Sequence, residues 1–288
     1  MKVLLDTSKT YMEYHDSLKE MVDYAQANPS PRASDKDDSG WSNTKNLQHA
    51  CELAHNGWHD VRTEVDILLD SLKDTLADRL ETRFVNVYGV AGGTVDIGRY
   101  VTGEPECMVS WQTEPQASMG RVVRILVNGI VSSNVDADHI LRRGVAIVAL
   151  LDTLHKLGVG VELYWESAHS PHESKRDRTL TTVVKIHDSS EPLDIDSVVF
   201  SMAHPSMLRR LQFSCQEQSQ YASEWGVGNG YGSITNAIYN RDHEMDVVIE
   251  RLQNGNGDIV QNPLAWVLTT VTGLGLVDAG VMDAGVTA

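Results

Sequence analysis

Long apolar runs are missing from this chain. No stretch approaches the roughly 18 uninterrupted apolar residues that a membrane-spanning helix needs, so no membrane is expected among its partners. Cysteine is scarce. Cys51, Cys107 and Cys215 are too few and too scattered for a disulfide framework or a metal knuckle, the usage expected in a reducing compartment. Phenylalanine occurs 3 times against 9 tyrosines and 6 tryptophans, so the aromatic rings here more often carry a polar handle. Basic charge is also short. Lys and Arg number 24 against 40 Asp and Glu, a net charge of −16, and that field repels phosphate backbones at long range. A duplex-coating role is thereby disfavoured, while a local basic patch is not. The opening MKVLLDTSKT has only a short apolar run and no small-residue cleavage site, so no secretion signal is expected. No internal repeat is visible.

What is present is ordinary globular composition. With 288 residues, 41% hydrophobic and 22% charged, the chain has enough apolar material for one large α/β domain or two small ones. Residues 8–27 place Tyr11, Leu18, Met21, Val22 and Ala25 near helical spacing, which predicts a short amphipathic helix. NPSPRASDKDDSG at 28–40 reads as a flexible loop. Ser42-Asn43-Thr44 is expected to cap a helix running through Leu47, Cys51 and Ala54 to Gly57. The clearest helical stripe follows, with Val61, Val65, Leu68, Leu69, Leu72, Leu76 and Leu80 at steps of three and four.

From Arg83 onward the pattern turns β-rich. Strands are expected at 84–88, 95–101 and 107–111, broken by glycine turns. Residues 122–133 form a near-continuous apolar run suited to a strand buried on both faces. Asp136 can cap the helix 137–157, apolar almost all round from Val145 to Leu151 and stopped by Gly158. The strand 159–167 completes a βαβ unit, which implies parallel pairing. HSPHESKRDR at 169–178 is expected to be an exposed loop, followed by the strand TLTTVVKIHD. Residues 195–200 read as a helix start or short strand, Pro205 opens a further helix, 258–260 is a short strand, and Pro263 begins a last helix. The expected organisation is a helical N-terminal region over 1–83, including the loop 28–40, and an α/β body over 84–288.

The body over residues 120–278 resembles a von Willebrand factor A domain, on RILVNGIVSSN at 124–134, the buried helix, the strand VGVELYWES and the terminal GDIVQNPLAWVLTTVTGLG. The resemblance implies a mainly parallel sheet flanked by helices. In that family the first strand ends in an Asp-x-Ser-x-Ser motif that holds a divalent cation. Here Asn128 stands at the aspartate position and Ser132 and Ser133 lie one place off, which implies a relic site without a metal. The whole chain is also similar to a family of tailed-bacteriophage proteins, on SGWSNTKNLQHACELAHNGW at 39–58, VDIGRYVTGEPECM at 95–108 and AHPSMLRRL at 203–211. That likeness implies a virus-encoded protein of the host cytoplasm.

Candidate chemistry is thin. Asn128, Ser132 and Ser133 are expected either as the relic site, with Asp136 and Asp138 the nearest carboxylates a hard cation would want, or simply as satisfied turn residues. GVAGGTVDIG lacks the lysine and Ser/Thr pair of a phosphate loop, and GVGNGYG is not bracketed by strand and helix, so both read as turns. His55 and His59 straddle Gly57, and His169 and His172 share a loop, so surface histidines are expected. No nucleophile–base–acid set stands out, and no cofactor is expected. Two stretches combine cations with aromatics as single-strand binders do: Arg32, Lys36, Trp41 and Lys45, and Lys175, Arg176 and Arg178 near Trp165. Interleaved acids (Asp35, Asp37, Asp38, Glu173, Asp177) give both the alternative reading of solvated loops.

These readings lead to a non-enzymatic, phage-encoded binding protein. The first expectation is a single-stranded nucleic-acid binder or an RNA polymerase accessory factor in phage transcription or replication. Its partners would be single-stranded DNA, a phage RNA polymerase or another phage protein. The alternative is a protein-interaction adaptor or virion component using the von Willebrand A-like edge. A metal-dependent enzyme is the third class.

Overall fold

A computed structural model describes residues 1–6, 10–27, 39–77, 82–115, 120–132, 134–170, 178–222, 231–253 and 257–277. The chain opens with β1 (Lys2–Asp6), β2 (Thr10–His15), α1 (Leu18–Ala27), α2 (Ser39–Ser42), α3 (Leu47–Asn56) and α4 (Arg62–Ala77). Next come β3 (Thr82–Gly89), β4 (Thr94–Val95), α5 (Ile97–Val101) and β5 (Met108–Pro115). Then follow β6 (Val122–Asn128), α6 (Ala137–Lys156), β7 (Gly160–Ser170), β8 (Thr179–His187) and α7 (Ile195–Ala203). A π-helical segment (Met207–Gln212) leads into α8 (Phe213–Gln218), β9 (Ser233–Ile234), β10 (Val247–Ile249), α9 (Asp258–Gln261) and α10 (Pro263–Gly273).

The architecture is α/β, as the alternation of strand and helix signals predicts. The main sheet runs β1–β2–β8–β7–β6–β10, with β9 added to the far end of β7. At its centre β6 pairs in parallel with β7, from Val122↔Gly160 to Asn128↔Glu166, and β10 pairs in parallel with β6. A third parallel pairing joins β2 to β8, while β7 and β8 run antiparallel. The expected βαβ unit is therefore present as β6–α6–β7.

Helix α6 is apolar on nearly every side because it is covered on nearly every side. Residues Val145 to Leu151 are all buried, between the sheet and the helices α4, α7 and α10. Gly144 lets α7 approach closely: a Cβ there would lie 2.3 Å from Ala203 Cα. The helix ends where Gly158 takes φ 72° and donates its N–H to the His155 carbonyl at 3.0 Å, since left-handed backbone costs glycine little.

The N-terminal region departs from the sequence reading. Residues 10–15 are a strand, not the start of a helix, and they lie in the main sheet beside β8. Thr10, Tyr11 and Tyr14 favour a pleated, half-buried surface, and the open edge of β8 supplies the ladder that decides the matter. Helix spacing holds only from Leu18, where Ser17 Oγ accepts the Glu20 N–H. The described side chains of α1, α3 and α4 join the same large core as α6, so these helices pack into the body. Helix α3 is capped by Asn46, whose side chain accepts the His49 N–H at 3.0 Å. Ser42 and Thr44, expected as caps, instead receive the guanidinium of Arg210, Arg210 Nε lying 2.9 Å from Ser42 Oγ.

Two further expectations are corrected. Residues 97–101 are helical because Asp96 caps them, accepting the Arg99 N–H at 3.1 Å. Residues 258–261 are one helical turn leading into α10, and the outer strand on that side is the three-residue β10.

Candidate functional site

At the end of β6 the polar groups are spent on the fold. Asn128 is fully buried. Its Nδ2 donates to the Thr235 carbonyl at 3.0 Å and its Oδ1 accepts the Ile130 N–H at 3.3 Å. Arg143, also buried, donates to the carbonyls of Asn128, Ile249 and Glu250 at 2.9, 3.2 and 2.8 Å, closing the ends of β6 and β10. Burial lowers its guanidinium pKa to about 10, and the three carbonyls are what offset the desolvation. Ser132 is half-buried beside this turn, and Ser133 lies outside the described residues. Asp138 pairs with Arg142 at 3.0 Å. Among the described residues no group of three or more His, Cys, Asp or Glu side chains is arranged to hold a metal ion.

Glu166, the register partner of Asn128 across β6 and β7, and Glu250 play a similar part. The Glu166 carboxylate accepts the Ile238 and Tyr239 N–H groups at 2.9 and 3.1 Å, and Glu250 accepts that of Ala237 at 3.0 Å. Together they anchor the segment 237–239 over the sheet. Burial pushes the Glu166 carboxyl up to about 7, although the two N–H donors pull the other way. A serine–histidine contact also exists, Ser206 Oγ to His204 Nδ1 at 2.7 Å. Both side chains are buried, two residues apart in the turn that starts the π-helical segment, and burial lowers the imidazole to about 4.

The basic–aromatic candidates fare unevenly. Arg32, Lys36, Lys175 and Arg176 lie outside the described residues, as does the side chain of Trp41. Lys45 is exposed and Arg178 is half-buried beside the start of β8. Trp165 is corrected: it is 2% exposed and belongs to the large core. Strand β7 is covered on both faces, so neighbouring aromatics at 164 and 165 are both removed from solvent, and the indole offers no stacking face. His169, expected in an exposed loop, is the penultimate residue of β7 instead; it is buried against Gln216 at 2.9 Å and lowered to about 3 by desolvation.

Two features escaped the sequence reading. The first is a cleft of about 430 Å³ at the end of β6. It is lined by Ile130 to Ser132, by Leu208, Arg209 and Phe213 on one wall, and by Tyr231 to Ile234 on the other. It sits outside the carboxyl ends of parallel strands, the usual ligand position in open α/β sheets. No local sequence pattern announces it, because its walls come from three distant segments.

The second is the small sheet β3–β5–β4 with α5, an arm none of whose described side chains takes part in the large core. It exposes Ile97 at 74%, Tyr100 at 67%, Val101 at 77% and Trp111 at 58%, with Val90 and Val95 alongside. Arg99 lies 3.8 Å over the ring of Tyr88 and pairs with Glu104 at 3.3 Å. The sequence signal was there: apolar residues between close-set glycines, in runs too short to bury themselves.

The described chain is thus an α/β protein with a mainly parallel central sheet, a strand-end cleft and an apolar arm. It belongs to the family described as a domain of unknown function (DUF7192), which matches residues 3–278. No curated protein and no solved structure matches it.

Proposed function

We propose that this protein is a non-enzymatic interaction adaptor that docks its partner on the arm. The observation that carries this is the gathering of Val90, Val95, Ile97, Tyr100, Val101 and Trp111 in solvent on one small unit. Exposed apolar side chains concentrated on one small unit mark interaction sites, and hot spots are enriched in tryptophan and tyrosine. The partner is a net-basic protein presenting an apolar segment. The chain carries −16, which repels a second copy and attracts a cationic surface, and Asp96, Glu104 and Glu106 border the patch.

Single-stranded nucleic acid is the second reading, favoured by Tyr88, Arg99, Tyr100 and Trp111 standing together on the arm. The net charge and the aliphatic side chains among them weigh toward protein. The von Willebrand A-like kinship, supported by β6–α6–β7 with Asn128 at the strand end, belongs to this proposal, as do the viral origin and host-cytoplasm setting that the sequence motifs imply.

Quantitative affinity capture from the native cells, with the wild-type chain and an Ile97→Ser/Tyr100→Ser/Val101→Ser variant, tests the proposal. The expected result is a basic protein retained by the wild type and depleted about tenfold or more with the variant. Equal capture by both contradicts it. A mobility shift of single-stranded DNA by the wild type, abolished in the variant, would move the assignment to the second reading.

A further inference from the structure

We infer that the strand-end cleft is a binding site for a small amphipathic acid, with an apolar body and a single carboxylate head. The inference is independent of the arm. At about 430 Å³ the cleft falls within the range of small-ligand sites. Ile130, Val131, Leu208, Phe213 and Ile234 give it an apolar lining into which an aliphatic or aromatic body fits. One charged side chain stands in the wall. Arg209 is 4% exposed, donates to the Val135 carbonyl at 3.0 Å, and is lowered by burial, with Asp136 acting against that shift.

The backbone explains how that cation comes to be there. Arg209 and Arg210 are adjacent and both buried, yet their guanidinium groups have different partners. Arg210 reaches back to Ser42, Thr44 and Lys45, while Arg209 lines the cleft and donates to the Val135 carbonyl. The π-helical turn Met207–Gln212 that carries both is a rare geometry, frequent at functional sites. The opposite wall is also fixed. β9 is pinned to β7 through His169↔Ile234 and Ser170↔Ser233. Gly232 (φ 87°) lies where a Cβ would fall 2.4 Å from the Ser170 carbonyl oxygen. Two rigid walls with one guanidinium and a mostly apolar lining favour an acid whose charge is local and whose bulk is hydrocarbon. Ser132 and Ser233 stand at the rim, the former half-buried and the latter exposed.

Calorimetric titration of the full chain with decanoate and, separately, with 1-decanol tests this, alongside the rim variants Ser132→Trp and Ser233→Trp. Neither rim side chain belongs to the core, and a thermal melt of each variant verifies folding. The expected result is saturable one-site binding of decanoate, binding of decanol at least about tenfold weaker, and at least about tenfold loss in one or both rim variants. Absence of saturable decanoate binding at about 1 mM overturns the proposal. So does decanol binding as tightly as decanoate, or decanoate binding unchanged in both folded variants. Because the arm is untouched in all four titrations, failure here leaves the adaptor reading standing, and its failure leaves this one.

Discussion

Gly129 lies directly beneath the indole of Trp165: a Cβ at residue 129 would fall 1.9 Å from Trp165 Nε1. The glycine is the first residue past β6, and its N–H donates to the Glu166 carbonyl at 2.7 Å, so it cannot withdraw without breaking the strand end. Gly129→Ala is expected to destabilise the protein by about 1–3 kcal/mol, the usual cost of overpacking a core. Urea unfolding measures it; an unchanged midpoint contradicts the packing described.

Neighbouring arginines on α6 give a sharper contrast. Arg143 satisfies three carbonyls in the interior, whereas Arg142 makes an exposed pair with Asp138. Arg143→Met leaves those acceptors without their donor and is expected to cost about 3–5 kcal/mol. Arg142→Met, at the surface, is expected to change stability by no more than about 0.5 kcal/mol. Equal effects in chemical denaturation would remove Arg143 from its role.

Glu166 makes stability depend on pH. Its carboxyl is raised from 4.5 to about 7, chiefly by burial. A carboxyl raised in the folded state contributes stability that is complete below its unfolded pKa and lost as pH climbs through the folded value. The shift corresponds to about 3 kcal/mol. His15 and His169, lowered by burial to about 4 and about 3, act oppositely: their contribution is present above the ordinary imidazole pKa and lost as pH falls. Glu166→Gln leaves both histidines in place, so the difference between variant and wild type isolates the carboxyl. The variant is expected to gain on the wild type between about pH 5 and pH 8. A difference constant across that interval contradicts the assignment.

On the arm, stability and binding are expected to separate. Ile97 and Val101 are 74% and 77% exposed, so Ile97→Ser/Val101→Ser should leave the melting temperature of the full chain nearly unchanged while weakening capture of the partner. A melting temperature that drops with the double variant would mean these side chains are covered in solution.

The sequence was most legible where periodicity was long. The stripes of α4 and α6, and the β6–α6–β7 unit, can be read from spacing alone, because an amphipathic or wholly enclosed helix needs ten or more patterned residues to exist. Short runs were not legible. Thr10–His15, Ile97–Val101 and Asp258–Gln261 each hold apolar residues in numbers that suit either strand or helix, and an outside partner settles each: the edge of β8, the Asp96 cap, the start of α10. The fate of Trp165 was hidden for a related reason. A strand's alternation says which residues share a face, not whether that face meets solvent. The cleft and the arm depend on segments far apart in sequence, and only the assembled fold brings Arg209 beside Ile130 or leaves Trp111 uncovered.

The adaptor reading is tested most directly by placing a photo-reactive side chain at Tyr100 in the full chain and irradiating its native cells, with the same group at Lys45 for comparison. The account predicts a covalent adduct to a net-basic protein from residue 100 and not from residue 45. An adduct removed by nuclease, an adduct to a second copy of this chain, or crosslinking from residue 45 alone would contradict it.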